Sequence, residues 1–451
     1  MEKKAASTDM LNYQYSVITL YEDDMLKVFY SSGRSDFLLV TFGDLLSKVD
    51  GDSFFADAPV KKLGLNCLGF VAKGPNWYPV PNVALAIKAC EQILANFKEI
   101  VTYGGSMGGY AALKYSRRLG AVATIAMCPQ WSLDPDECGG FDSGWRKFFV
   151  PNMMDMGVTK YDLAGNIFVL YDPGNETDNF HARKILDLSH SISALRTRSV
   201  DHHVTSVFAG TKNLESFVQC ALNNDYHAMS SVVQSVRRRH PTRERILLNR
   251  LSINHCGLLD SLLSAQGRRL SDEDKVALNV KVLTHYLRSG RESLISGPIE
   301  RLISLNIDIV RKTLLENFLN ASGETGAWGG SKALTTAHGT CVYYSALMGR
   351  LIHRVECSLE KRQYLTAPLV DIGDRCAGVE INGRRYYLMI DKNGFAGFSD
   401  CKPSPENPNA LWVQHEADGI KLIRAGFYAA AEKNGSISYN RKIAKAWETF
   451  V

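Results

Sequence analysis

Three features are missing from this sequence, and each absence excludes a class of protein. No apolar run reaches the roughly 20 residues that a membrane-spanning helix needs. No apolar core follows the polar residues 1–7, which argues against a secretory signal peptide. The ten cysteines include no C-x-x-C pair, so they indicate neither a zinc ribbon nor a disulfide framework. We therefore expect a cytoplasmic protein with no cofactor, no metal site and no membrane span.

Strong charge of either sign is also lacking. The net charge is +5, which is too small to indicate a nucleic-acid-binding protein. The one compact basic run is Arg237-Arg238-Arg239, which we interpret as the solvated end of a helix. Hydrophobic residues make up 45% of the 451, which is enough for real cores, and the length predicts two or three domains.

A serine set among glycines is the most informative pattern that is present. Residues 103–112 read YGGSMGGYAA, a G-x-S-x-G pattern with Ser106 between Gly104 and Gly108. The β-branched run 99–103 before it predicts a buried strand, and the residues after it predict a helix. A strand-turn-helix hairpin of this kind raises a serine hydroxyl above a sheet, beside amides that can stabilise an oxyanion. The pattern predicts that Ser106 is a nucleophile; the alternative is a glycine-rich turn with an incidental serine.

Strand-like and helical patterns alternate over residues 1–225, which predicts a mostly parallel sheet covered on both faces. Apolar positions at helical spacing over 83–97 predict a helix that packs on this sheet. The predicted strands are Phe37–Thr41, Lys62–Leu68, the run into Ser106, Ala121–Met127, Asn166–Tyr171 and His203–Phe208.

This order, with the elbow on a central strand, resembles the α/β-hydrolase fold over about half of the chain. The resemblance implies an oxyanion hole formed by the amide of Met107 and by one in the loop Phe42-Gly43-Asp44. It also implies a lid over residues 129–165. Three aromatic residues in that lid either line an apolar wall of the pocket or simply pack the loop: Trp131, Phe141 and Trp145. The aromatic loop Asn76–Pro79 is a further candidate for ligand contact.

The same resemblance implies an acid and then a histidine after the serine. Asp178 follows a glycine turn and precedes a helix-like stretch, so it is the preferred acid, and Asp172 is the alternative. Thr211 stands where the family carries its histidine, and threonine cannot accept the serine proton near neutral pH. His203, on the predicted last strand, and His227 are the candidate substitutes.

The rest of the chain predicts two further domains, a helical one over 226–325 and an all-β one over 326–451. Helices are expected at 242–266, after Ser271, and from Pro298 to about Leu319. The all-β region repeats a glycine-led hairpin pattern at Gly339, Gly383 and Gly426, at spacings of 44 and 43 residues. Three such units predict a β-trefoil, and Trp447-Glu448-Thr449-Phe450 resembles the end of a fascin-like trefoil repeat.

Two functions from different classes follow from these patterns. The first is a serine hydrolase or acyltransferase, with a trefoil as an accessory binding module. Its substrate would be an ester, and a resemblance to bacterial α/β-hydrolase-like proteins with Pro129-Gln130 after the elbow favours an acylated carbohydrate. The second is a catalytically degenerate scaffold that binds a glycan or a protein partner. An imidazole within about 3.5 Å of the Ser106 hydroxyl would favour the enzyme, and none within about 6 Å would favour the scaffold.

Overall fold

The computed structural model describes residues 16–47, 51–141, 144–265, 270–320, 333–355, 365–391, 395–417, 419–443 and 448–451. The chain divides into two units, Met1–Leu247 and Leu248–Val451. This boundary falls inside the segment for which the sequence predicts a helical domain. Within the described ranges, each helix is too short or too polar to cross a lipid bilayer.

An eight-stranded sheet is the framework of the first unit. Its strands are β1 (Val17–Glu22), β2 (Leu26–Ser31), β3 (Leu38–Phe42), β4 (Asn66–Ala72), β5 (Ile100–Gly105), β6 (Ala123–Met127), β7 (Asn166–Tyr171) and β8 (Ile192–Arg196). They lie in the order β1-β2-β4-β3-β5-β6-β7-β8. The pairs from β4 to β8 are parallel, whereas β1 and β2 join antiparallel at one edge. The central strands β3 to β6 are buried along their whole length, as expected for strands covered on both faces.

Helices cover both faces of this sheet. They are α1 (Asp57–Leu63), α2 (Val80–Ala89), α3 (Glu91–Leu94), α4 (Met107–Lys114), α5 (Glu176–Leu186), α6 (Val204–Val207), α7 (Thr211–Leu222) and α8 (Tyr226–Arg239). A further helix, α9 (Pro241–Asn254), contains the boundary between the two units. One apolar core lies under α2, α4 and α5, and a second lies under α1, α7 and α8. Short 3₁₀ turns occur at Arg146–Phe148, Pro151–Met153 and Asp201–His203. The mostly parallel sheet flanked by helices, as in α/β hydrolases, confirms the predicted fold class.

The strand prediction failed at the end of the sheet. Residues 203–208 are a 3₁₀ turn followed by α6, and the last strand is Ile192–Arg196, which the sequence analysis did not identify. Val204, Thr205 and Val207 are β-branched and resemble a strand locally, but tertiary packing overrides such a propensity. Val204 and Val207 instead bury their side chains in the core under α7.

The second unit begins with a helical part. Its helices are α10 (Cys256–Ser264), α11 (Asp272–Arg288), α12 (Ser296–Ile303) and α13 (Ile309–Asn320), with a 3₁₀ turn at Glu292–Leu294. Ser271 caps α11 by accepting a hydrogen bond from the Asp274 amide, as the sequence predicts. The helix expected over 242–266 is interrupted at His255, and the one expected from Pro298 to Leu319 is two helices.

Antiparallel sheets complete the second unit. Their strands are β9 (Cys341–Ser345), β10 (Arg350–Arg354), β11 (Thr366–Pro368), β12 (Val370–Asp371), β13 (Ala377–Ile381), β14 (Arg384–Ile390), β15 (Ala396–Ser399), β16 (Trp412–Glu416), β17 (Gly419–Arg424), β18 (Phe427–Ala431), β19 (Ile437–Arg441) and β20 (Thr449–Phe450). They form three sheets, β10-β9-β11, β12-β13-β14-β15 and β16-β17-β18-β19 with β20 on β17. All three contribute side chains to one apolar core. The region is therefore all-β, as predicted; Trp447 lies outside the described residues.

Candidate functional site

Ser106 occupies a sharp turn between β5 and α4. Its backbone has φ 52° and ψ −119°, a conformation that a residue with a side chain rarely adopts and that is typical of a nucleophile elbow. A Cβ on Gly104 would come closer than 3.0 Å to the Gly108 carbonyl, and one on Gly108 would come equally close to the carbonyl of Phe42. The two glycines therefore allow α4 to pack directly against the strands and to hold the serine at the sheet edge.

A histidine and an aspartate continue from this serine. The Ser106 Oγ lies 3.1 Å from Nε2 of His202, and Nδ1 of His202 lies 2.6 Å from Oδ1 of Asp178. Asp178 is 2% exposed, whereas the imidazole of His202 remains partly open to solvent. The hydroxyl, imidazole and carboxylate thus form one series of contacts with the geometry of a Ser-His-Asp triad, in the chain order Ser, Asp, His.

The neighbours of Asp178 hold its carboxylate in place. It lies in the first turn of α5, where Asn175 caps the helix by accepting a hydrogen bond from the Asp178 amide at 2.9 Å. Burial raises the pKa of the Asp178 carboxyl, and the hydrogen bond from His202 opposes this shift. The second oxygen, Oδ2, is buried and has no hydrogen-bond partner among the described residues. Asp178 is thus placed to hold the imidazole through one oxygen.

Asp172, the alternative acid, organises the loop that carries the histidine. Its carboxylate accepts hydrogen bonds from the amides of Gly174, Val200 and Asp201 at 2.7–2.8 Å. These contacts join the loops after β7 and β8. Asp172 is fully buried, and its role in the structure is to fix the backbone beside His202 rather than to contact an imidazole.

Neither of the two histidines proposed from the sequence lies against Ser106. His203 is exposed, and its Nε2 is 3.3 Å from Nη2 of Arg245. His227 lies in the first turn of α8 with its ring against Tyr226. Thr211 is the first residue of α7. The predicted base was wrong because the last strand was predicted at 203–208, which put the histidine after that segment. The observed last strand is β8, and the loop after it contains His202.

The two predicted oxyanion donors, the amides of Met107 and Gly43, differ in whether the structure already uses them. Met107 is the first residue of α4, where helix amides have no intrahelical acceptor. The Gly43 amide instead donates to the carbonyl of Phe70 at 2.9 Å, and this bond uses its single proton. Because Gly43 continues the pairing beside β4, we assign it a structural role and correct the prediction.

Gln130 supplies a donor that the sequence analysis did not identify. Its side-chain Nε2 donates to the Ser106 Oγ at 3.2 Å, and its Oε1 accepts a hydrogen bond from the indole of Trp77 at 3.2 Å. Both side chains are buried, and the bond from the indole fixes which end of the amide faces the serine. The signal available in the sequence was only the dipeptide Pro129-Gln130, which follows β6.

The aromatic residues of segment 129–165 have different roles. The Trp145 ring lies 5.0 Å from the imidazole of His202, so it contacts the site. The Phe141 ring instead stacks on Phe180, and the Trp131 indole donates to the Val158 carbonyl, which are packing contacts. Between this segment and the loop 75–81 lies a cavity of about 470 Å³, lined by residues that include Trp77, Tyr78, Tyr110, Phe148, Met153 and Met156.

One group of potential metal ligands occurs among the described residues, and it overlaps the same site. Ligand atoms of Cys128, Asp178 and His202 lie within 4.8 Å of one another. The short bond between His202 and Asp178 already occupies those two groups. Burial raises the pKa of the Cys128 thiol well above its ordinary value, which disfavours the thiolate that a metal needs. The donor set therefore fits a proton relay better than a cation.

His181, one turn after Asp178, is expected to make the first unit sensitive to acid. It is fully buried, and desolvation lowers its pKa from 6.5 to about 4. Between these values the unfolded chain binds a proton that the folded chain does not, so stability is complete above pH 6.5 and is lost as the pH falls towards 4. The difference corresponds to about 3 kcal/mol.

Urea unfolding at pH 7 and pH 4.5 measures this effect. His181→Gln, which keeps an acceptor for the Trp131 amide, is expected to lose less stability on acidification than the wild type by about 2–3 kcal/mol. His190→Gln, at an exposed position, is the control and should behave like the wild type. Equal acid sensitivity of His181→Gln and wild type would show that another group is responsible.

Comparisons with known proteins agree with the fold and do not identify a family. No family model matches the chain, and no curated protein matches it. The similar solved structures include the capsule O-acetyltransferase of Neisseria meningitidis serogroup A, at 14% identity and a TM-score of 0.35, covering 48% of this chain and 96% of that one. An esterase of Pyrococcus furiosus matches at 18% identity and a TM-score of 0.33, covering 47% of this chain and 91% of that one. A serine hydrolase without a lid from Xanthomonas campestris matches at 13% identity and a TM-score of 0.32, covering 48% of this chain and 97% of that one.

These neighbours are hydrolase and acetyltransferase folds, and at this level of similarity they carry no argument about activity. The assignment of the first unit to an α/β-hydrolase-like fold rests on its own sheet order and elbow.

Proposed function

We propose that the chain is a serine hydrolase or acyltransferase that acts on an ester. The observation that carries this proposal is the continuous contact from the Ser106 hydroxyl through His202 to Asp178, at 3.1 and 2.6 Å. The first of these distances lies within the limit of about 3.5 Å at which an imidazole can act as the base. It favours the enzyme over the degenerate scaffold.

The proposed reaction proceeds in two halves. His202 Nε2 takes the hydroxyl proton as Ser106 Oγ forms a bond to the ester carbonyl carbon, whose oxygen becomes an oxyanion. Collapse of this intermediate breaks the bond to the leaving alcohol, which receives the proton from His202 and departs, so that an acyl-serine remains. Water or an acceptor hydroxyl then attacks with the same proton transfers in reverse. Asp178 holds the neutral tautomer with Nδ1–H towards itself and stabilises the imidazolium.

Two donors would stabilise the oxyanion, the amide of Met107 and the side chain of Gln130. The amide lies at the positive end of α4, and the Gln130 Nε2 is directed at the nucleophile itself. Because the Trp77 indole fixes Gln130, this donor needs no reorganisation when charge develops. The elbow glycines Gly104 and Gly108 allow α4 to lie against the strands, which positions Ser106 and the Met107 amide.

A fluorophosphonate probe tests the central proposal. The full chain is expected to be labelled at Ser106, and labelling should be lost in Ser106→Ala. Hydrolysis of a small neutral ester should fall in parallel. Equal labelling of both proteins, or no labelling of a folded wild type, would contradict the proposal and favour the scaffold.

Loss of the Gln130 amide is expected to lower kcat by about 10²-fold with little change in KM, because the donor acts mainly in the transition state. Gln130→Ala should show this effect in steady-state ester hydrolysis. Gln219→Ala, at an exposed position on α7, is the matched control. An unchanged kcat in Gln130→Ala would remove Gln130 from the oxyanion hole.

We further propose that the substrate is an acylated carbohydrate and that the all-β region is a fascin-like β-trefoil acting as the binding module. In support, the leading glycines of the three repeats, Gly339, Gly383 and Gly426, all have φ between 68° and 82°. The proposed domains are 1–225, 226–325 and 326–451.

A cytoplasmic location is supported by the nine described cysteines, all of which are free. Binding of the full chain to a glycan array tests the module. We expect this binding to be lost when residues 326–451 are deleted.

A further inference from the structure

Four arginines gather beside the loop that carries His202. Arg198 follows β8, and its carbonyl accepts a hydrogen bond from Nη1 of Arg237, at the end of α8, at 2.8 Å. Arg243 and Arg245 lie in the first turns of α9. We call Arg198, Arg237, Arg243 and Arg245 the arginine cluster. It lies at the carboxyl end of the sheet, which is the edge where ligands bind in open α/β folds.

Two guanidinium groups of the arginine cluster have unused donors. The Nε atoms of Arg237 and Arg243 are buried and have no hydrogen-bond partner among the described residues. Burial lowers the pKa of Arg237, and the positive charges of Arg243, Arg238 and Arg198 add to this effect. A buried guanidinium N–H without a partner is costly, and like charges placed together add to that cost.

Carboxylates do not neutralise these charges. Among the described residues, no acidic oxygen lies within 4.0 Å of a side-chain nitrogen of the arginine cluster. Asp172 is the acid whose charge reaches Arg237, and its oxygens already accept hydrogen bonds from three backbone amides. The arrangement is therefore complementary to an external anion.

The arginine cluster is connected to the proposed catalytic centre. Nη2 of Arg245 lies 3.3 Å from Nε2 of His203, and His203 is the chain neighbour of His202. His240 lies between α8 and α9; burial lowers its pKa, and the charge of His203 adds to this effect. An anion held here would be adjacent to the loop that positions the base.

We propose that the arginine cluster binds a phosphate group carried by one of the two reaction partners of Ser106. This proposal rests on the proposed function and names a chemical feature of its ligand. A guanidinium group matches the oxygens of a phosphate and can bind two of them at once. Several arginines together carry more positive charge than one carboxylate can neutralise, which favours a phosphate as the ligand. The phosphate would belong either to a nucleotide-type acyl donor, such as a thioester of coenzyme A, or to a phosphorylated sugar acceptor.

Isothermal titration of the full chain tests the proposal. All proteins carry Ser106→Ala, so that no turnover occurs and binding is measured independently of catalysis. Coenzyme A, glucose 1-phosphate and unphosphorylated glucose are the probes. We expect a phosphorylated probe to bind at low salt and glucose to bind less tightly. We also expect Arg243→Gln and Arg245→Gln each to weaken that binding at least about tenfold.

The choice of probe separates the two sources. Arginine-dependent binding of coenzyme A supports the donor, and arginine-dependent binding of glucose 1-phosphate supports the acceptor. Arg118→Gln, exposed at the opposite end of the sheet, is the control and should bind like the parent. Arg237→Lys keeps the charge but loses the fork, and it should weaken binding without loss of the folded state.

Equal affinities in the parent and in the cluster variants, or no binding of either phosphorylated probe, would overturn the proposal. Such a result would leave the proposed function intact if the wild type is labelled by the fluorophosphonate. Arginine-dependent binding without labelling would instead retain the anion site and reject the serine chemistry.

Discussion

Replacement of His202 by alanine is expected to lower hydrolysis of a small neutral ester by about 10³-fold or more. His202 is the imidazole within hydrogen-bond distance of Ser106, so its loss leaves the serine without a proton acceptor. Fluorophosphonate labelling should slow in parallel, since the probe requires the same activated hydroxyl. The measurement is kcat/KM by steady-state kinetics, together with the labelling rate.

His203→Ala is the matched control, because the two histidines are chain neighbours and have different surroundings. Its ring is exposed and contacts Arg245, so activity on an ester without a phosphate should change little. His227→Ala on α8 should likewise be active. Retention of activity in His202→Ala, or its loss in His203→Ala with the fold intact, would contradict the assigned base.

Gly108→Ala is expected to destabilise the first unit by about 3 kcal/mol or more. The added Cβ would come closer than 3.0 Å to the backbone oxygen of Phe42, and a backbone atom of a central strand cannot move aside cheaply. The helix α4 would have to separate from β3, which would also displace Ser106. Differential scanning calorimetry of the full chain measures the shift of the transition that belongs to the first unit.

Gly74→Ala is the control for this substitution. Gly74 has open space where its Cβ would be, and its φ is not in the left-handed region. The Gly74→Ala variant should therefore unfold at about the same temperature as the wild type. If Gly108→Ala were as stable as Gly74→Ala, the close approach of α4 to β3 would not be the reason for glycine in the elbow.

The strands of the first unit differ in how well the sequence predicted them. Asn166–Tyr171 was predicted at its observed bounds because a buried parallel strand is a continuous apolar run with a clear beginning and end. The antiparallel strands β1 and β2 were missed, as was β8, in which only Ile192 and Leu195 are buried. An edge strand has this weaker pattern because a neighbour covers only one of its sides.

By itself, the sequence predicted the fold class, and it identified Ser106 and Asp178 as the candidate nucleophile and acid. These depend on local patterns: glycines at fixed spacing around Ser106, periodic apolar residues, and an acid in the first turn of a helix. Only the tertiary structure selected His202 over His203, assigned Asp172 to the loop, and brought Gln130 to the hydroxyl. His202 is 96 residues from Ser106 in the chain, and their distance is fixed by how β5, β7 and β8 align in the sheet. No local signal encodes such a contact, since it exists only after the strands have paired.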